Sequence, residues 1–209
     1  MGRHDFSLTG GARRVVLATG LYASTPVQTA MGWMPVGDLQ PGDLVLTRDD
    51  GLMPVIALQT EFRRALWSVS LPQDAIGTCA ATLLPPGQPV LVRSQFAMPF
   101  SGDDLGLVPA TALEGWRGIA PQVPASAEPI LQLRLSRPSV LFAGPGLMVG
   151  CDGSDQTRFD LKQLLHCPSR PVLPLAAARQ MMSSLVAEEA GRCLRRFYAA
   201  ALPDGPNLS

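Results

Sequence analysis

The chain has 209 residues, 46% hydrophobic and 16% charged, with 17 basic and 17 acidic side chains that cancel. This balance excludes an intrinsically disordered chain and leaves no electrostatic footprint for nucleic acid or an anionic membrane surface. The length suffices for one full hydrophobic core with a small appendage, and no apolar run approaches the roughly 18 residues of a transmembrane helix.

Residues 1–14 are polar and contain glycine, which predicts a loose arm. VVLATGLY (15–22) is rich in β-branched and apolar residues and predicts a strand. Residues 13–30 also carry the outline of a secretion signal: a basic start, a short apolar run and a small-residue end. The run stops after Ala18, however, at Thr19 and Gly20. The strand is therefore preferred, with a cytoplasmic location as the default and secretion left open.

MGWMPVGDL (31–39) begins at a turn-capable glycine and predicts a helical turn at PVGDL. Pro41-Gly42 supplies turn residues, LVLT a short strand, and Asp49-Asp50-Gly51 a hairpin tip. MPVIALQTEF (53–62) reads as the return strand. LWSVSLP (66–72), TCAATLLP (78–85) and PVLVRS (89–94) are further short strands. VPATALEGW (108–116) predicts a helical turn opened by Pro109. ILQLRLS (130–136) alternates as a half-buried strand does, VLFAG (140–144) pairs back on it, and GLMVGCD (146–152) ends the series. Many short strands with turns between them predict a mainly β fold of strands and hairpins rather than a βαβ one.

The last fifty residues differ. DLKQLLH (160–166) predicts a turn or two of helix, and Pro168, Pro171 and Pro174 a linker. Residues 175–202 predict one long helix. Its apolar face runs through Leu175, Ala178, Met182, Val186, Ala190, Cys193, Phe197 and Ala201. Gly191 costs that helix about 1 kcal/mol relative to alanine. The expected organisation is thus a flexible arm (1–14), a β domain (15–152) and a C-terminal helical extension (153–209) packed on it.

The four cysteines, Cys79, Cys151, Cys167 and Cys193, form no C-x-x-C pair, and the histidines are His4 and His166 alone. No metal site and no cofactor are expected from that set. The cysteines read as buried thiols, Cys79 included. Trp33, Trp67 and Trp116 read as core or edge packing.

The order Gly32-Trp33-x-Pro35-Val36-x-Asp38-Leu39-x-Pro41-Gly42-Asp43-Leu44, continuing through Asp49, Gly51, Pro54 and Val55, resembles the opening of a Hint domain. That is the Hedgehog/intein fold, and the likeness is to its bacterial group. Residues 83–92, 108–119 and 130–150 carry weaker likeness, so the resemblance covers residues 15–150. It implies a Hint-like β fold with a C-terminal α-helical tail. It also implies autocatalytic peptide-bond cleavage, in which a Cys or Ser at the domain's first position attacks the preceding carbonyl. A hydroxyl residue and a His in a second block polarise and protonate the scissile amide. Amide nitrogen leaves poorly, so the step needs both an activated nucleophile and a proton donor.

Counted from Gly32-Trp33, the nucleophile position falls on Gly20. The hydroxyl and His positions fall on Pro85 and Gln88. No histidine stands between His4 and His166, so no such block can carry one within the β region. The expectation is a Hint fold without catalytic residues, serving as a structural or protein-binding module with a protein partner. The alternative is active self-cleavage by displaced residues. Ser24 is the reserve nucleophile, and Cys151 with Asp152 and His166 offers nucleophile, carboxylate and base types. Only 19 residues precede Gly20, so cleavage there would release a short fragment. A third expectation is an unrelated cysteine hydrolase using Cys151.

Overall fold

The computed structural model describes residues 17–61, 67–124, 128–153 and 170–201. The predicted arm, the helix at 160–166, His4, His166 and Cys167 lie outside those residues. The first strands are β1 (Leu21–Tyr22), β2 (Pro26–Thr29), β3 (Gly32–Pro35), β4 (Leu44–Thr47) and β5 (Gly51–Pro54). They are followed by β6 (Ala57–Glu61), β7 (Ser68–Leu71), β8 (Thr82–Leu84) and β9 (Pro89–Arg93). A one-turn helix α1 (Met98–Ser101) precedes β10 (Leu105–Pro109), and β11 (Ala120–Gln122) follows. β12 (Ile130–Arg134), β13 (Ser139–Phe142), β14 (Met148–Cys151) and the long helix α2 (Leu175–Ala201) complete the set.

The strands form three antiparallel sheets. The largest runs β10-β9-β14-β13-β4-β2-β3, with β5 paired to β4. The two smaller ones run β1-β12-β6 and β11-β7-β8. The fold is mainly β, with one long helix at its C-terminal end. The hairpin at Asp49-Asp50-Gly51 forms as predicted, pairing Thr47 with Gly51. Gly51 sits at φ +69°, where a side chain is strained. The Thr47 hydroxyl closes the tip, donating to Gly51 O (2.8 Å) and accepting from Asp50 N (3.1 Å). Helical turns form at Val36–Asp38 and Ala110–Leu113, the second directly after Pro109.

Several strand assignments are corrected. Of residues 17–22, the described part of the strand expected at 15–22, only Leu21 and Tyr22 are extended in a sheet. Residues 17–20 lie instead against the turn before β9, where Ala18 O accepts from Gly87 N (2.8 Å). The return strand 53–62 is broken at Val55-Ile56. Val55 N still bonds Asp43 O, but Ile56 N bonds Arg134 O, so the chain changes sheets there. β12 and β13 do not pair with each other as expected. β12 lies between β1 and β6, while β13 pairs with β14 and β4. The segment 78–85 is strand only at Thr82–Leu84, because the preceding loop is closed by Asp74 N bonding Thr78 O (2.7 Å).

One principal core fills the space between the sheets, with Val27, Val45, Leu71, Leu84, Leu113 and Leu141 all at 1% exposure or less. Burial of each such leucine or valine stabilises the fold by about 1.5–3 kcal/mol. The first half of α2 joins that core through Ala178, Met181, Met182 and Leu185. This differs from the predicted stripe. Val186, Ala190 and Cys193 are exposed, because the docked face is centred on Ala178, Met181 and Leu185 and turns away from that stripe beyond Leu185. Two polar contacts lock the docked half. Trp116 Nε1 donates to Glu189 Oε2 (2.8 Å), and Arg117 Nη2 donates to Glu189 Oε1 (2.7 Å). Arg170 holds the approach to α2, donating to Asp103 Oδ2 (2.6 Å) and to Leu105 O.

Trp116 is buried as expected, but Trp33 is 46% exposed, since it points from edge strand β3 away from the core side occupied by Val27. Cys79 and Cys193 are exposed rather than buried. Cys79 falls in the loop before β8, outside any strand, which removes the burial expected of it.

Candidate functional site

The segment before β1 and the turn before β9 meet at one point. Pro85 O accepts from Gln88 N (3.0 Å), which closes the turn Pro85–Gln88. Thr111 N bonds Pro86 O (3.0 Å) and Ala110 N bonds Gln88 O (2.9 Å), fixing the turn to the helical turn after β10. Gln88 is 3% exposed and its side chain points back across the first segment. Its Oε1 accepts from Gly20 N (2.9 Å), and its Nε2 donates to Gly150 O (2.8 Å) and Pro89 O (3.3 Å). Both N–H donors and one of the two acceptor directions of the amide are thereby used inside the chain.

Gly20 adopts φ +117°. A Cβ built there would stand 2.7 Å from Leu131 O and 2.8 Å from Ile130 Cγ2. The space a side chain would need at this position is filled by the backbone and side chain of β12.

Gly20 and Gln88 line one pocket of about 230 Å³, together with Gly150, Cys151 and Asp152. Leu131, Leu133 and Val149 make much of its wall apolar. The structure therefore brings Cys151 to the same cavity as Gly20 and Gln88, which the sequence did not predict. The Cys151 thiol is half-buried and donates to Leu133 O (2.7 Å). Burial pushes its pKa up, and the neighbouring Asp152 charge pushes the same way. A thiol so held is a poor nucleophile at neutral pH, because the thiolate is the reactive form.

Pro85 is buried and contributes its carbonyl to the turn. Ser24 is exposed and lies on a different cleft, where its backbone N–H donates to Glu128 Oε1. Of the Cys151, Asp152 and His166 set, His166 lies outside the described residues; the other two members, Cys151 and Asp152, both line the Gly20 pocket. The sequence reading missed Leu131 and Glu128. Both sit in or beside segments whose patterns signal strand or loop, with no motif to single them out. Among the described residues, no group of three or more His, Cys, Asp and Glu side chains is arranged to hold a metal ion. Among the same residues, no helix is long and apolar enough to cross a membrane.

The model of the Hint domain matches residues 19–147, more than half of the chain, and the chain belongs to that family. The chain is also similar to solved structures. The bacterial intein-like domain from Clostridium thermocellum is 14% identical, with a TM-score of 0.48 over 63% of this chain and 98% of that one. The MchDnaB-1 intein is 19% identical, with a TM-score of 0.38 over 63% and 99%. The gp41-1 intein is 17% identical, with a TM-score of 0.41 over 62% and 96%. No curated relative matches the sequence.

Proposed function

We propose that this Hint domain does not cleave its own chain and acts as a structural or protein-binding module. The observation that carries the reading is the bond from Gly20 N to Gln88 Oε1, at the two positions where the resemblance would put nucleophile and proton donor. Glycine offers no attacking atom. Glutamine offers an amide that does not titrate and is already committed to three backbone partners. A third position, Pro85, has no hydroxyl.

Self-cleavage by a displaced residue is the competing reading, favoured by Cys151 lying on the same pocket as Gly20. The raised thiol pKa weighs against it. Intact-mass spectrometry of the full chain, incubated with and without an added thiol, decides between them. The expected result is one unchanged mass. Loss of an N-terminal segment that stops in Cys151→Ala or Ser24→Ala would overturn the proposal and identify the displaced nucleophile.

A further inference from the structure

A second cleft, of about 340 Å³, opens between the start of β2, strand β8 and the two residues Pro124 and Glu128. It shares no lining residue with the Gly20 pocket. Pockets that hold small groups run from roughly 300 Å³ upward, so the space is of a useful size. Thr25 lines it at 5% exposure, and the Thr25 hydroxyl makes no hydrogen bond among the described residues. A hydroxyl without a partner in the chain is left to hydrogen-bond water or a ligand in the cleft. No side-chain oxygen in the described residues is both sealed from solvent and unpaired, which means this hydroxyl stays reachable from the cleft.

Glu128 lines the same cleft half-buried. One of its oxygens accepts the Ser24 N–H, and the other has no partner among the described residues. The cleft therefore presents a free carboxylate oxygen and a free hydroxyl, and both accept hydrogen bonds. Leu83 and Pro124 supply apolar walls that a long aliphatic stem would cover. The flanking strands β1 and β8 are each the last strand of their sheet among the described residues. Edge strands carry unpaired backbone groups that pair readily with an extended peptide.

We propose that this cleft binds an arginine side chain presented by an extended segment of a partner protein. The planar guanidinium donates in several directions at once and suits a carboxylate beside a hydroxyl. The proposal rests on the reading of this domain as a binding module, but the two fail separately. Cleavage seen by intact mass would end the inert-module reading and leave the cleft untouched.

The test is calorimetric titration of the full chain with acetyl-Ala-Arg-Ala-amide. Parallel arms use the same peptide with citrulline, which is neutral, and methylguanidinium alone. The arginine peptide is expected to bind, the citrulline peptide to lose at least about tenfold in affinity, and methylguanidinium to bind more weakly than the peptide. Glu128→Gln keeps an acceptor for Ser24 N and should weaken binding about tenfold, with Thr25→Val costing a few-fold. Thermal melting of both variants confirms that each is folded, and Thr25→Val stands as the second probe if Glu128→Gln is not. No binding of the arginine peptide, or equal binding of the citrulline peptide, would overturn the proposal. Equal affinity for methylguanidinium would overturn its peptide component.

Discussion

The backbone N–H of Gly20 and the side-chain oxygen of Gln88, 68 residues apart in sequence, are hydrogen-bonded at 2.9 Å. The bond joins the segment entering β1 to the turn entering β9. Because Gln88 also bonds Gly150 at the end of β14, one amide ties three parts of the chain together.

Replacing Gln88 by alanine should therefore destabilise the domain. The change leaves the Gly20 donor and the Gly150 acceptor without their partner in a buried setting, at a cost of roughly 1–3 kcal/mol. Urea denaturation of wild type and variant measures it. A midpoint that does not move would show that water replaces the amide at no cost.

Installing a nucleophile at the family position should fail. In Gly20→Cys the new Cβ meets Leu131 O at 2.7 Å, on a backbone at φ +117°. Strain at such a position costs of order 1–3 kcal/mol before the clash is counted. The variant, alone or with Gln88→His, is expected to melt lower and to keep an unchanged intact mass. Cleavage by the double variant would mean that β12 can move aside.

The cysteines should separate by reactivity. Cys79 and Cys193 are exposed, whereas Cys151 is half-buried with its thiol pKa pushed up by burial. Labelling with iodoacetamide at neutral pH, read by peptide mapping, should modify Cys79 and Cys193 well before Cys151. Rapid modification of Cys151 would revive it as a nucleophile.

The latch between Trp116, Arg117 and Glu189 should respond to acid. Burial acts to raise the Glu189 pKa, but the bonds from Trp116 and Arg117 outweigh it, so the net shift is downward. A carboxyl with a depressed folded-state pKa contributes stability above its unfolded value, about 4.3, which is lost as pH falls through the folded value. The stability difference between wild type and Glu189→Gln should be full at neutral pH and vanish below the ordinary carboxylate range. A difference that stays constant from pH 7 to about 3 would assign the latch to packing instead of charge.

Arg170 anchors the chain just before α2. Hydrogen bonding to Arg170 is the main cause holding the Asp103 carboxyl well below its usual range. Asp103 is 43% exposed, so the solvent-screened pair is worth only about 1 kcal/mol. Arg170→Ala should speed hydrogen exchange at Leu173 N, which bonds Leu107 O, more than at the core strands. Unchanged protection there would mean that β10 and α2 hold the segment without it.

Much of the fold was legible in the residues. Asp50-Gly51 and Pro41-Gly42 turn where their chemistry predicts, and residues 110–113 and 175–201 coil as their patterns require. Strand partners were not legible. ILQLRLS and VLFAG adjoin in sequence yet lie in different sheets, because Ile56 and Leu135 sit where the chain changes sheets. Period-two alternation reports which face is buried, and says nothing about which neighbour accepts the bonds. The face of α2 was misjudged for a related reason. Alanine and methionine widen its apolar side, and only the surface around Gly106 and Leu173 selects Ala178 and Met181 as the contact.

The sequence alone determined that the chain has Hint-type turns and that Gly20, Pro85 and Gln88 occupy positions where the resemblance expects reactive side chains. Residue identity suffices for that, since glycine has no nucleophile and glutamine no titrating proton. Tertiary structure alone decided that Gly20 and Gln88 bond each other, that β12 fills the space beside Gly20, and that Cys151 shares their pocket. Those are contacts between segments distant in sequence, and they exist only once the sheets have closed around them.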